Sequence, residues 1–73
     1  MEFDLRQLEI FCAVVEHENF SRAGRAVNLA QASVSERIAN LERDVGARLL
    51  DRLGRRAVPT QVGTLLYERA REL

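Results

Sequence analysis

The chain has 73 residues, 47% of them hydrophobic and 30% charged, with eleven basic and eleven acidic side chains that cancel to a formal net charge of zero. That length holds one small core and excludes a second domain, and that composition excludes a disordered tail. One cysteine, Cys12, and one histidine, His17, exclude an internal disulfide and a cysteine-based zinc site.

Taken in chain order, Leu5, Leu8, Phe11, Cys12 and Val15 fall on one stripe and predict a first helix running to about Glu18. Phe20 follows as a buried anchor, and Ser21 is the expected cap of a short second helix over residues 21–27, with Ala23, Ala26 and Val27 as small packing residues. Asn28, Leu29 and Ala30 read as a turn. Val34, Ile38, Leu41 and Val45 then share one side of a third helix beginning at Gln31, which Gly46 closes. Leu49 and Leu50, a Gly54-Arg55 tip, Ala57-Val58 and termination at Pro59 outline a two-stranded hairpin. Thr60 caps a fourth helix in which Val62, Leu66, Arg69 and Leu73 lie on one line with Leu65 and Ala70 beside it, still periodic at the last residue, which suggests truncation within an element. The expected architecture is mostly α: a winged helix-turn-helix over residues 1–59 and the start of a linker helix over residues 60–73.

The zero net charge, taken alone, argues against a nucleic-acid binder, but it averages over a segregated chain. Residues 1–19 carry Arg6 against five acids, whereas residues 20–58 carry eight arginines against Glu36, Glu42, Asp44 and Asp51. All eleven bases are arginine, whose planar fork suits phosphate and guanine edges, although base composition of the genome accounts for a lysine-free chain equally well. Two short helices joined by a tight turn and followed by a basic hairpin place the second of the pair in a major groove. With the apolar line of the third helix inward, Ala32, Ser33, Glu36 and Asn40 face out, Arg37 lies on the flank and Gln31 projects from the open end. Gln31 and Asn40 can pair with adenine, Ser33 and Ser35 are adaptable donors and acceptors, and Arg37 suits guanine or phosphate. Arg52, Arg55 and Arg56 on a glycine-tipped hairpin suit a minor groove or adjacent phosphates. A polar outer face and a charged turn are also what any solvated helix and hairpin display.

The segments LRQLEIFCAVVEHENFSRAGRAVNLAQASVSERIANLERDVGARLLDR and GRRAVPTQVG resemble the N-terminal domain of LysR-type transcriptional regulators across nearly the whole chain. The likeness rests on Leu8 and Phe11, Phe20-Ser21 with Ala23, Gln31 with Ser35 and Ile38, and Leu41-Glu42. It continues through Gly46, Leu49-Leu50, Arg52, Gly54-Arg55 and Thr60 with Gly63. The resemblance implies a double-stranded DNA partner with an interrupted dyad operator, a homodimer that becomes a tetramer when full length, and a separate C-terminal domain that takes a small-molecule effector. It implies that the fourth helix pairs with its partner's copy through Val62, Leu65, Leu66, Arg69 and Leu73, and it adds Thr60 to the DNA-facing set; packing of that line into the chain's own core is the alternative. Three positions depart from the family pattern: Ala30 replaces a usual capping serine, Ala32 a usual proline, and Glu36 a common arginine. Phosphate repels an acid at position 36 unless it accepts from a cytosine amino group, so Arg37 is the expected source of charge there.

Catalysis needs a nucleophile with a base or a metal site, and His17 near a helix C-terminus, with Glu16 and Glu18 pointing to different sides, reads as a dipole-complementing surface residue. No cofactor or metal is expected in this chain. The stronger rival to a DNA reader is a helical interaction module whose basic strip binds an acidic protein. No apolar run approaches the roughly 20 residues that span a bilayer, and MEFDLRQ lacks the basic and apolar regions of a signal peptide, so a cytoplasmic protein is expected.

Overall fold

Asp4 sets the start of the first helix by accepting the Arg6 backbone amide at 2.9 Å in the computed structural model, which describes residues 4–73; Glu2, counted among the acids above, lies outside the described residues. Helix α1 spans Leu5–His17 and buries Leu8, Ile10, Phe11, Ala13 and Val14. This face is wider than the expected stripe because α1 is the central element, packed by the second, third and fourth helices and by the hairpin. Leu5, expected on the core side, is instead 70% exposed, at the rim of a shallow pocket it shares with Ala70 and Leu73.

Glu18 closes α1 in the left-handed conformation (φ 54°), and α2 begins at Phe20, running Phe20–Val27. Its cap is Asn19, whose side chain accepts the Arg22 amide at 2.8 Å. Ser21 was the expected cap. It lies within the first turn because the buried Phe20 is already helical, which leaves the extended conformation required of a cap to Asn19. Ala23 and Gly24 form the close contact with the next helix, while Ala26 is exposed. A Cβ on Gly24 would sit 2.5 Å from the Leu29 carbonyl oxygen, so only glycine lets the turn fold back at this distance. Asn28 (φ 62°) turns the chain, and α3 spans Gln31–Val45 with Val34, Ile38 and Leu41 buried and Val45 packed on the cluster edge. Ala30 precedes α3 without a side-chain cap bond, which costs on the order of 1 kcal/mol relative to serine.

Strands β1 (Leu50–Leu53) and β2 (Arg56–Pro59) pair antiparallel, with Leu53 opposite Arg56 and Leu50 opposite Pro59. Pro59 is thus the last residue of β2. Gly54 has φ 64° while Arg55 does not leave the negative region, which is the pattern of a two-residue II′ hairpin turn. The hairpin base is held from α3: one carboxylate oxygen of Glu42 accepts the backbone amides of Leu49 and Leu50 at 2.8 and 3.2 Å.

Thr60 caps α4 (Gln61–Ala70) by accepting the Gly63 amide at 3.0 Å, donates its hydroxyl proton to the Arg48 carbonyl at 2.7 Å, and gives its own amide to Leu49 at 3.0 Å. Gly63 lies directly on the Leu49 carbonyl. Leu66 and Tyr67 pack on the core, and Tyr67 donates to Glu16 of α1 at 2.9 Å. The expected line of Val62, Leu66, Arg69 and Leu73 therefore divides. Gly63, Leu66, Tyr67 and Ala70 face inward, and Val62, Leu65 and Arg69 face solvent. Leu73 lies past the last helical residue, because the Glu72 and Leu73 amides turn back three residues rather than four, in the tighter geometry common at helix ends.

The core joins Ile10, Phe11, Val14, Ala23, Val34, Ile38, Leu41, Leu49 and Ala57. Full burial of Phe11 or Ile10 contributes about 1.5–3 kcal/mol each. No polar or charged side chain is buried among the described residues. The Cys12 thiol is half-buried in α1, and burial first, then the neighbouring Glu16 carboxylate, push its pKa up against a smaller lowering by Arg71. The hydrogen bond to Glu16 raises that of Tyr67.

Candidate nucleic-acid interface

Three elements meet on one side of the molecule: the start of α2, the start of α3 and the wing formed by β1 and β2. Asn19, Phe20, Ser21, Gln31, Arg52, Gly54, Arg55 and Arg56 line an open cleft of ≈ 440 Å³ between them. Arg52 fixes the wing against the helix pair. Its guanidinium lies 4.2 Å from the centroid of the Phe20 ring and donates to the Ser35 hydroxyl of α3 at 3.3 Å. Arginine suits this position because its flat face can stack on the ring while its edge keeps donors for other acceptors. The Ser21 hydroxyl donates to the Gln31 side-chain carbonyl at 2.7 Å, which ties the first turns of α2 and α3 together and leaves the Gln31 amide group outward.

The expected residues of α3 divide by exposure and by partner. Ala32 and Glu36 are exposed, Ser33 and Arg37 are half-buried, and the side chains of Ser33, Glu36 and Arg37 make no hydrogen bond among the described residues. Asn40 accepts from Arg43 one turn later, so its carbonyl is occupied within α3. In the wing, Arg55 is exposed at the turn. Arg56 is not unengaged: it forms an ion pair with Glu18 at 2.8 Å. The Thr60 hydroxyl is used by the α4 cap and the Arg48 carbonyl, which gives it a structural role in the free chain.

The structure therefore brings Gln31, Ser35, Arg52 and Arg55 onto one continuous surface and sets Asn40, Arg56 and Thr60 in contacts of their own. Asn19 and Ser21 also line the cleft, and the sequence pattern did not mark them for it. Their neighbours there from α3 and the wing are ten or more residues away in the chain, so no local spacing signals the contact. Glu16 and Glu18 do point to different sides, one to Tyr67 and the other to Arg56, and neither forms a dyad with His17.

The family described as bacterial regulatory helix-turn-helix protein, lysR family, matches residues 5–64. The SDS degradation transcriptional activation protein of Pseudomonas sp. (strain ATCC 19151) is 50% identical over 70 residues, covering 96% of this chain and 23% of that protein. The RuBisCO operon transcriptional regulator of Allochromatium vinosum is 36% identical over 73 residues, covering 100% of this chain and 24% of that protein. The chain thus spans about a quarter of the length of these curated relatives. Among solved structures, a CbnR DBD–DNA complex superposes with a TM-score of 0.91 at 33% identity, over 96% of this chain and 80% of that one. DarR of Vibrio fischeri in complex with DNA superposes with a TM-score of 0.92 at 36% identity, over 99% of this chain and 25% of that one. With the family match spanning both helices of the pair and the whole wing, this chain belongs to the LysR family of bacterial regulatory helix-turn-helix proteins.

Proposed function

We propose that this chain is the sequence-specific DNA-binding unit of a bacterial transcription regulator, with α3 in the major groove and the wing on the flanking minor groove or phosphates. The observation that carries the reading is the junction of Arg52 with Phe20 and Ser35, which welds a basic wing to the recognition helix at one fixed spacing. A groove reader needs this rigidity, because base edges and backbone must be met together. A solvated charged turn has no use for it. Gln31, Ala32, Ser33, Ser35, Glu36 and Arg37 form the reading face, and Arg52 and Arg55 hold the backbone. Asn40 joins them on giving up Arg43, as do Arg56 on giving up Glu18 and Thr60 through its position at the wing base. Relatives solved in complex with DNA share the same fold at 33–36% identity.

Residues 1–59 form the reading unit and residues 60–73 begin a linker helix. Its outward face of Val62, Leu65 and Arg69 pairs with a second copy, so that two units meet the two halves of a dyad. The whole protein extends this plan to a tetramer and to an effector domain that takes a small molecule. It acts in the cytoplasm, in keeping with its membership of a family of bacterial regulatory proteins.

Selection of the chain against random duplexes, followed by a salt titration of the recovered sequence, tests the reading. Enrichment of a half-site or dyad with a steep salt slope is the expected result. Binding without sequence preference, or none once a fused dimeriser supplies the second copy, would refute it.

A further inference from the structure

Glu18 stands at the junction between the acidic first helix and the basic wing. It adopts a left-handed backbone (φ 54°) that residues with a Cβ enter only at a cost. From that conformation two links reach the wing, one from the Glu18 backbone and one from its side chain. The Glu18 carbonyl accepts the Ala57 amide of β2 at 3.0 Å, and its Oε1 accepts both Nε and Nη2 of Arg56 at 3.2 and 2.8 Å. Neither bond is required by the hairpin itself, whose register is closed by β1 and the Gly54 turn. The pair is open to solvent, with side-chain exposures of 64% for Arg56 and 52% for Glu18, so an arriving anion can compete for the guanidinium. Arg56 lines the same cleft as Arg52 and Arg55.

We infer that Glu18 is an internal competitor for the DNA backbone. It neutralises Arg56 against α1, so that the free wing presents Arg52 and Arg55 alone. Arg56 reaches a phosphate only by exchanging the carboxylate for it. Non-specific affinity comes almost wholly from arginine–phosphate pairing, so an arginine already paired lowers it. The hydrogen bonds that α3 makes to bases are untouched. Glu18 thereby lowers the phosphate-derived part of the affinity for any duplex, acting as a positioning residue through Arg56 and the β2 backbone. This inference rests on the DNA-binding reading above.

The test is a double-mutant cycle on the 73-residue chain, with binding to a labelled random-sequence duplex followed by fluorescence anisotropy over a series from about 50 to about 200 mM salt. Glu18→Gln keeps the side-chain shape and the backbone bond but removes the charge. It is expected to tighten binding roughly two- to fivefold, the range an exposed ion pair spans, and to steepen the log–log salt slope by up to about 0.9. In an Arg56→Ala background the same substitution is expected to change neither quantity. Glu18→Gly, which suits the left-handed backbone, should tighten binding equally while raising Tm, and so guards against a folding defect in the first variant. Equal tightening by Glu18→Gln with and without Arg56 would mean simple loss of a negative charge and would overturn the inference alone. Failure of the unaltered chain to bind DNA at the lowest salt would overturn the DNA-binding reading and this inference together.

Discussion

Alanine at position 63 is a sharp test of how α4 is seated. In an ordinary helix interior, glycine to alanine stabilises by about 1 kcal/mol, because alanine loses less backbone entropy. Here a Cβ would fall 2.0 Å from the Leu49 carbonyl oxygen and 2.9 Å from its carbon, where ordinary contact begins at 3.4 Å. Leu49 cannot yield easily. It is fully buried, its carbonyl accepts the Thr60 amide at 3.0 Å, and its own amide is held by Glu42. To relieve the clash α4 shifts off the core, at about 1–3 kcal/mol for overpacking, and the shift draws Thr60 away and breaks its bond to Leu49, at about 1 kcal/mol more. After the propensity gain is subtracted, the net expectation is a loss of about 1–3 kcal/mol, with each kcal/mol worth roughly 4–8 °C in Tm for a domain of this size. Urea and thermal unfolding of Gly63→Ala beside Gln61→Ala, an exposed substitution in the same turn, provide the measurement. If Gly63→Ala matches or exceeds the unaltered chain in stability while Gln61→Ala is neutral, the seating of α4 on Leu49 is wrong.

Three further outcomes are expected. Glu42→Ala removes the acceptor of two backbone amides and should destabilise by about 2 kcal/mol, whereas Glu42→Gln, which keeps an acceptor, should restore most of it; equal urea midpoints for the two variants would count against the role of that carboxylate. Arg37→Ala should weaken binding to the selected operator well beyond Arg71→Ala, and equal losses would remove Arg37 from the reading face. Because the folded Cys12 thiol has its pKa raised above the ordinary 9.0, the stability it contributes is complete below that value and falls as pH rises through the higher folded value. Denaturation midpoints measured across that range should decline, and Cys12→Ala should flatten the part of the decline that precedes Tyr67 ionisation.

Local periodicity and capping chemistry make much of this fold legible in the sequence. The spacing of Val34, Ile38 and Leu41, the Gly54 tip and the Thr60 cap each act within a few residues of themselves. What the sequence did not reveal depends on neighbours far along the chain. Whether Leu66 faces a partner or the chain's own core is undecidable until α1 is known to lie beneath α4, since both readings require the same spacing. Asn19 and Ser21 are equally able caps, and the choice falls to Asn19 only because Phe20 must turn inward. The pairs Glu18–Arg56 and Glu16–Tyr67 join residues 38 and 51 positions apart, and no composition or motif marks them. The helix-turn-helix pattern marked an outward polar face on α3, but not the Phe20–Arg52–Ser35 junction that fixes the wing beside it.

The wholly apolar interior has a consequence for how such a chain diversifies. No polar side chain among the described residues is needed inside, and Ser33, Glu36 and Arg37 take no part in the bonds that hold the fold. Those positions can be rewritten one at a time without reopening the core. Each change then alters the outward face of α3 while leaving the scaffold's stability nearly constant. New outward faces are thereby reachable through short mutational paths on which every intermediate still folds.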